Sequence, residues 1–508
     1  MSPWDLKLAI RIDRTVGAPV YKQLEKQIAD QIGRGRLMPG VALPGSRELA
    51  ARLDISRKTV VLAYEHLAAQ GWVKSDRTRG TFVAEALPQI GLPLLAPVPG
   101  RPPASPQYGV ASKDIEIPIV LAGGPPGSFD DGLPDARIFP AQVFAREYRT
   151  ALIQETKLDR LYYGDPKGHP RLRQALATML NADRGLSVGI DNICITRGSQ
   201  MSIFLASRVL VSRGDAVALD ELSYPPAFHA FLNAGAKVIP IKTDAAGLDV
   251  EHLEFECRRS RIRSIYLTPH RHFPTTISLT TERRRRLLAL AEQFRFSIIE
   301  DDYDHDYNFD ALPLLPMAGF SPGKVVYIGS LSKILSPHLR MGYIVASEDT
   351  VQAVARQILL LDRQGDQVTE FAVASFIEAD ELVRHARRAL GLYRQRRDAF
   401  DAALRSTIGD RAQFSKPMGG LAFWLEFEDE SELDRIEQNA RQRDLRLLRS
   451  EQFRLSSHAR RGLRLGFASK TEREAIDSLA ILFGNPARSP SVERFNDPSR
   501  PTQASSRT

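Results

Sequence analysis

Cysteine is nearly absent: 508 residues include two, Cys194 and Cys257. No disulfide framework is expected, a reducing compartment fits, and each cysteine reads as a small buried apolar residue rather than a ligand. Long apolar runs are missing too. No stretch is long enough to span a bilayer, and the opening MSPWDLKLAIRID has no signal-peptide core, so a cytoplasmic protein is expected. Charged residues make up 26% of the chain, but their balance is uneven. Residues 1–84 hold 14 Lys and Arg against 8 Asp and Glu, an excess of 6 within a net charge of +8. That asymmetry points to a nucleic-acid-binding head on a nearly neutral body. With 43% hydrophobic residues the chain is globular, and its length exceeds what one core can serve.

The basic head carries a motif. Tyr21, Leu24, Ile28 and Ile32 mark one face of a predicted helix. Pro44, Gly45 and Ser46 introduce a second, with Ser46 as its expected N-cap and Leu49, Ala50 and Leu53 facing inward. After a turn at Asp54 and Ile55, Ser56 caps a third helix that buries Val60, Ala63, Tyr64 and Leu67. Two short helices joined by a tight turn form a helix-turn-helix whose second helix enters the major groove. Trp72 to Val83 reads as a hairpin with a basic tip. The run PGSRELAARLDISRKTVVLAYEHLAAQGW, residues 44–72, resembles the winged helix-turn-helix of the GntR family. That resemblance implies contacts to double-stranded DNA from Arg47, Ser56, Arg57, Lys58, Thr59, Arg77 and Arg79.

Seven prolines between Pro88 and Pro106 make residues 85–116 an extended linker. Residues 485–508, rich in Pro, Ser and Arg, are expected to be a disordered tail. The expected domains are therefore 1–84 and 117–484. In the larger one, strand-like runs at 193–196, 216–219, 238–241, 265–268, 297–299, 325–328 and 343–345 alternate with helical stretches. This is an α/β pattern, a mostly parallel sheet with crossover helices, whose ligands sit beyond the carboxyl ends of the strands. Helices dominate after Val351, and a smaller C-terminal α+β subdomain is expected from about Arg388.

Three stretches after such strands carry chemistry. GSLSKILSPHLRMGY, residues 329–343, places Lys333 behind a buried strand, where desolvation makes an amine nucleophilic. Ser330, Ser332 and Arg340 are suited to a phosphate. FSIIEDDYDHDY, residues 296–307, ends a strand in Glu300, Asp301, Asp302 and Tyr303. ITRGSQMSI, residues 195–203, is a strand, a glycine turn and a helix start, so Gly198, Ser199 and Gln200 offer free N–H groups to an anion.

EDDYD followed by GSLSK resembles the fold-type I pyridoxal 5'-phosphate (PLP) proteins of the aminotransferase superfamily. The resemblance implies PLP held as a Schiff base on Lys333. Asp301 or, one residue on, Asp302 would pair with the pyridine nitrogen, and Tyr303 would reach the ring oxygen. Ser199, Gln200, Ser330, Ser332 and Arg340 would hold the phosphate, and Tyr224 would stack on the ring. Tyr163, in YYGDPKGHPRLRQAL, would reach across a dimer interface. Arg464, in GLRLGFA, would take a ligand carboxylate, the alternative being a structural salt bridge. Two departures stand out: Phe273 and Thr276 in TPHRHFPTTIS replace the usual asparagine and glycine, and Pro225 and Pro226 follow Tyr224 where an effector arginine can stand.

A calcium-loop reading of Asp302, Asp304 and Asp306 fails, because Tyr307 and Pro313 occupy its glycine and glutamate positions. The run Arg283 to Arg286 reads as a solvated helix face. Taken together, head, proline linker and body resemble the MocR/GabR family of bacterial transcription regulators from about Pro19 to Phe483. The family implies a head-to-tail homodimer whose effector is PLP or an amino compound. The competing class is an aminotransferase with a fused DNA-binding head.

Overall fold

The computed structural model describes residues 10–15, 17–76, 79–88, 125, 127–309, 314–448 and 450–483. Arg77, most of the proline-rich linker and the 485–508 tail lie outside them. The chain divides into two compact units, Met1–Ser112 and Lys113–Thr508.

The first unit contains α1 (Val20–Gly33), α2 (Ser46–Leu53), α3 (Arg57–Ala69) and an antiparallel hairpin of β1 (Val73–Asp76) and β2 (Gly80–Val83). Leu24, Ile28 and Ile32 of α1 pack with Leu49 of α2 and with Val60, Ala63, Tyr64 and Leu67 of α3, all buried as their spacing predicts. Ser56 caps α3, its Oγ accepting from the Thr59 N–H at 3.1 Å. The expected cap of α2 is corrected. Gly45 holds the N-cap position without a side-chain bond, and Ser46 is already helical. Asp54 makes the turn between the two helices in left-handed conformation (φ 50°), which Asp tolerates better than most residues.

In the second unit, α4 (Ala141–Lys157) and α5 (Pro170–Arg184) precede a seven-stranded sheet. Its first strands are β3 (Ile193–Thr196), β4 (Ala216–Asp220) and β5 (Lys237–Ile241), connected by α6 (Ser199–Leu210) and α7 (Pro225–Asn233). A small hairpin, β6 (Thr243–Asp244) and β7 (Gly247–Leu248), leads to α8 (Val250–Arg259). Then follow β8 (Ile262–Leu267), α9 (Thr281–Phe294), β9 (Ser297–Asp302), β10 (Val325–Ser330) and β11 (Gly342–Val345). The strand order is β3–β11–β10–β9–β8–β4–β5, and only β11 runs antiparallel to its neighbours. All seven strand-like runs in the sequence are strands of this sheet. Both faces are covered: Ile298 of β9 joins one apolar core and Ile299 the other, so parallel strands read as continuous apolar runs.

The remainder comprises α10 (Glu348–Leu361), α11 (Gln367–Glu378), α12 (Glu381–Ile408), β12 (Ala422–Glu426), α13 (Glu430–Gln442), β13 (Gly462–Gly466) and α14 (Glu472–Phe483). Helix α12 carries the chain from one core to another. Leu382 packs with the large body, whereas Ala389, Tyr393 and Phe400 pack with Phe423 and Leu465 of the antiparallel β12–β13 pair. The arginine run on α9 departs from a solvated face. Arg284 is buried, its guanidinium donating to the carbonyls of Leu279, Pro269 and Leu315. Both cysteines are buried and free.

Candidate cofactor and effector site

The parallel pairing of β9 with β10 sets Ile328 opposite Asp301, which brings the carboxyl ends of both strands to one edge of the sheet. Lys333 follows three residues after β10. Lys333, Asp301, Tyr303, Tyr224, Ser199 and Phe273 line one cavity there.

The strand period of two separates the adjacent aspartates. Asp301 shares the Ile299 face, and Tyr266 donates its hydroxyl to Asp301 Oδ2 at 2.7 Å. The other oxygen, Oδ1, is buried without a hydrogen-bond partner, and burial pushes this carboxyl up to about 7. Asp302 lies on the opposite face, bound by Arg184 and by Tyr327 at 2.8 Å, with His270 Nδ1 3.2 Å away. Burial opposes its ionisation, but His270, Arg184 and His305 hold it well below the usual carboxylate range. Asp301 is thus the carboxylate that faces the cavity, and Asp302 is committed to a structural network.

Lys333 Nζ donates to the Gly132 carbonyl at 2.7 Å and lies 3.9 Å from Asp131 Oδ1. Tyr303 donates to the Arg271 carbonyl at 3.2 Å and accepts from Arg464 Nη2 at 3.3 Å. Arg464, from β13, is 2% exposed and also donates to the carbonyls of Asp131 and Pro274, each at 2.8 Å. Its guanidinium stacks over Phe273, 4.7 Å from the ring centre. Among the described residues no carboxylate lies within 4 Å of it. A buried guanidinium with only neutral acceptors is prepared for an anion.

After β3, Gly198 (φ 88°) turns the chain into α6, and a Cβ there would stand 3.1 Å from Arg340 Nη2. Arg340 donates to the Arg197 carbonyl at 2.8 Å, so its guanidinium sits where the first N–H groups of α6 are free. Ser330 accepts from the Ser332 N–H at 3.1 Å at the end of β10. Gln200 and Arg340 are exposed, and neither they nor Ser330 and Ser332 line the cavity; Arg340 lines a neighbouring one with Thr196 and Arg197. Tyr224 meets Phe273 edge-on at 5.1 Å. Phe273 donates only its N–H, to Thr268 Oγ1 at 2.8 Å, so no side-chain donor replaces the asparagine usual at that position. Tyr163 is not brought into the cavity. It is 73% exposed, with the Arg363 guanidinium 3.8 Å from its ring centre.

These groups fit PLP. Asp301 leaves one oxygen without a donor for a protonated ring nitrogen, Lys333 supplies the amine, and the α6 terminus with Arg340 suits a phosphate. Sequence reasoning missed Tyr266 and Asp131. Tyr266 was findable, two residues before Thr268 on a buried strand; nothing local marks Asp131.

In the first unit Arg47, Ser56, Arg57 and Lys58 are exposed, Thr59 is half-buried, and Arg79 is exposed at the hairpin. Arg57 Nε reaches Ser46 Oγ at 3.4 Å, and the Ser56 hydroxyl is occupied as the cap.

Residues 140–480 match the family "Aminotransferase class I and II", and residues 20–83 match "Bacterial regulatory proteins, gntR family". The chain is 30% identical to a Rhizobium meliloti protein named "Probable rhizopine catabolism regulatory protein MocR", covering 93% of this chain and 95% of that one. It is 27% identical to the "HTH-type pyridoxine biosynthesis transcriptional regulator PdxR" of Corynebacterium glutamicum, covering 82% and 85%. Among solved structures, an archaeal alanine:glyoxylate aminotransferase superposes with a TM-score of 0.65 at 25% identity, covering 69% of this chain and 89% of its own.

Proposed function

Because the chain belongs to the regulators that join a GntR-type head to a class I and II aminotransferase body, we propose that it is a PLP-dependent transcription regulator of double-stranded DNA. PLP supplies a carbonyl that condenses with amines. The observation that carries the reading is the meeting of Lys333 with the donor-free carboxylate oxygen of Asp301 in one cavity, on a chain that also bears a DNA-binding head. In this reading Asp301 holds a proton on the ring nitrogen, and Tyr266 keeps that carboxylate oriented. Ser199, Ser330 and Arg340 anchor the phosphate, and Tyr224 packs against the ring. Tyr303, which accepts from Arg464 Nη2 at 3.3 Å, would meet the cofactor, and Arg464 would receive the carboxylate of an amino compound.

The protein acts as a cytoplasmic homodimer, arranged head to tail. Tyr163 fits this, since an aromatic ring 73% exposed on one chain is available to the partner's cavity. Arg47, Arg57, Lys58, Thr59 and Arg79 meet the DNA. Ligand binding shifts the dimer between DNA-binding geometries in proportion to its preference for one of them. The aminotransferase-like body is used for sensing. Lys333, Asp301, Tyr303 and Arg464 together are also what an aminotransferase needs, so slow single half-reactions with amines accompany binding. Phe273 works against steady turnover, because it offers no donor to the ring oxygen.

Fluorescence anisotropy with the DNA upstream of the gene, at one fixed salt concentration, tests the reading. PLP or an amine should change the affinity of the native protein and leave Lys333→Ala unresponsive. A Lys333→Ala protein with the full response would refute it, and sustained turnover with an amino acid and 2-oxoglutarate would favour the enzyme.

A further inference from the structure

The segment after β9 leaves the large sheet and enters the smaller subdomain built on α12 and the β12–β13 pair. Tyr307 and Phe309 join the core formed by Tyr393 and Phe400 of α12 with Phe423 of β12. Tyr307 is wholly buried there, its ring edge-on to Tyr393 at 5.1 Å. Two main-chain bonds fasten the segment to the residues before β12. The Gly420 N–H donates to the Tyr307 carbonyl at 2.8 Å, and the Phe309 N–H to the Met418 carbonyl at 2.9 Å. The Tyr307 hydroxyl nevertheless reaches back to the large body, where it donates to the main-chain carbonyl of Lys333 at 3.0 Å.

The other end of Lys333 is held from the same side. Its amine donates to the Gly132 carbonyl at 2.7 Å and pairs with Asp131 at 3.9 Å. Those residues are carried in turn by β13: the Gly466 N–H donates to the Asp130 carbonyl and Arg464 Nε to that of Asp131, each at 2.8 Å. Gly132 also stands against β12, since a Cβ on it would lie 3.3 Å from the Ala422 Cβ. Lys333 thus follows a strand of the large sheet, while its carbonyl and its amine are both bonded to residues anchored in the smaller subdomain.

We infer that Tyr307 is a positioning residue for Lys333, through which the smaller subdomain sets where the amine stands. The inference rests on the proposed PLP site and adds how that site is regulated. To react, the amine must leave the Gly132 carbonyl. The Tyr307 bond is then what still ties the lysine main chain to the smaller subdomain. Small misplacements of a reacting group are costly, because orientation contributes strongly to rate and equilibrium. A shift of the smaller subdomain is therefore felt at Lys333 by way of one hydroxyl group.

Pyridoxine 5'-phosphate tests this, because it has the ring and phosphate of PLP but an alcohol in place of the aldehyde. It fills the same cavity without engaging the amine. Both compounds are titrated into the full-length protein at equilibrium. Tyr307→Phe keeps the ring and removes only the donor. Its PLP affinity should fall ~5-fold, about what one hydrogen bond contributes, while pyridoxine 5'-phosphate binds within ~2-fold of wild type. In a Lys333→Ala background the same change should alter PLP affinity by less than ~2-fold, since no amine is left to position. A p-aminophenyl ring at position 307 retains a donor and should restore PLP affinity. Hydrogen exchange of the native protein gives a reading that depends on no variant: PLP should change the protection of the Gly420 amide, and pyridoxine 5'-phosphate should not. Equal losses for the two compounds would reduce Tyr307 to a structural residue and overturn the inference. Unchanged PLP affinity in Tyr307→Phe, or a Gly420 amide indifferent to PLP, would overturn it as well. Failure of the underlying reading looks different: wild type binds neither compound, or PLP absorbance is unchanged in Lys333→Ala.

Discussion

Asp301→Asn should push two properties in opposite directions. In the protein without cofactor, Asp301 is fully buried with one hydrogen bond, and burial raises its carboxyl from the ordinary 3.8 to about 7. A carboxyl raised in the folded state leaves stability intact below its unfolded value and lowers it progressively as pH climbs to the folded value. The loss is complete above about pH 7. At about 1.36 kcal/mol per pH unit, the difference sets a ceiling of about 4 kcal/mol, and structural relaxation reduces it to about 2 kcal/mol. Asparagine keeps an oxygen for Tyr266 and removes the charge. Without PLP, the Asp301→Asn protein should therefore be more stable than wild type, by a margin that grows by about 1 kcal/mol between about pH 5 and pH 8. Asp220, Glu300 and Glu370 are raised to about 7 as well, so only the difference between the two proteins isolates this residue. With PLP the sign reverses. The ring nitrogen loses its carboxylate, a charge-assisted bond of about 2 kcal/mol, and PLP affinity should fall about 30-fold. Urea unfolding of the apo proteins at both pH values, with equilibrium PLP titration, reads both effects. A variant that is less stable than wild type at the higher pH, or that binds PLP equally well, would refute the reasoning.

Other perturbations follow from the same geometry. Gly198→Ala forces a side chain at φ 88° toward Arg340 and should weaken PLP binding at least ~10-fold by titration while the rest of the fold persists. Arg184→Met strands the buried carboxylate of Asp302 and should lower body stability by about 3–5 kcal/mol in chemical denaturation, far more than a surface arginine would. Lys58→Ala should weaken DNA binding across sequences and reduce the slope of log affinity against log salt by about 1, read by anisotropy at several salt concentrations. Ser56→Ala removes the α3 cap and should lower the stability of the head by about 1 kcal/mol in thermal unfolding.

Local pattern was sufficient for much of this molecule. The faces of α1 and α3, the cap at Ser56 and the seven strands followed from apolar spacing, because burial selects residues at fixed periods wherever an element packs. Lys333, Asp301 and Arg464 were visible as candidates through the resemblance of EDDYD, GSLSK and GLRLGFA to the aminotransferase superfamily, with Asp301 and Asp302 left as alternatives. Tertiary structure decided what depends on partners distant in sequence. The period of a strand says that Asp301 and Asp302 face opposite sides, but which side holds the cavity depended on Tyr266, Arg184 and Tyr327 from other elements. Arg284 read as solvated because its run is uniformly charged, but its guanidinium is buried against two carbonyls of the β8–α9 connection and one, Leu315, from the segment between β9 and β10. Asp131 joined the site only because β13 carries Arg464 to its main-chain carbonyl and the segment after β10 sets Lys333 3.9 Å from its carboxylate. Periodicity records which face of a segment is buried; the polar groups that face a cavity together come from segments distant in the chain.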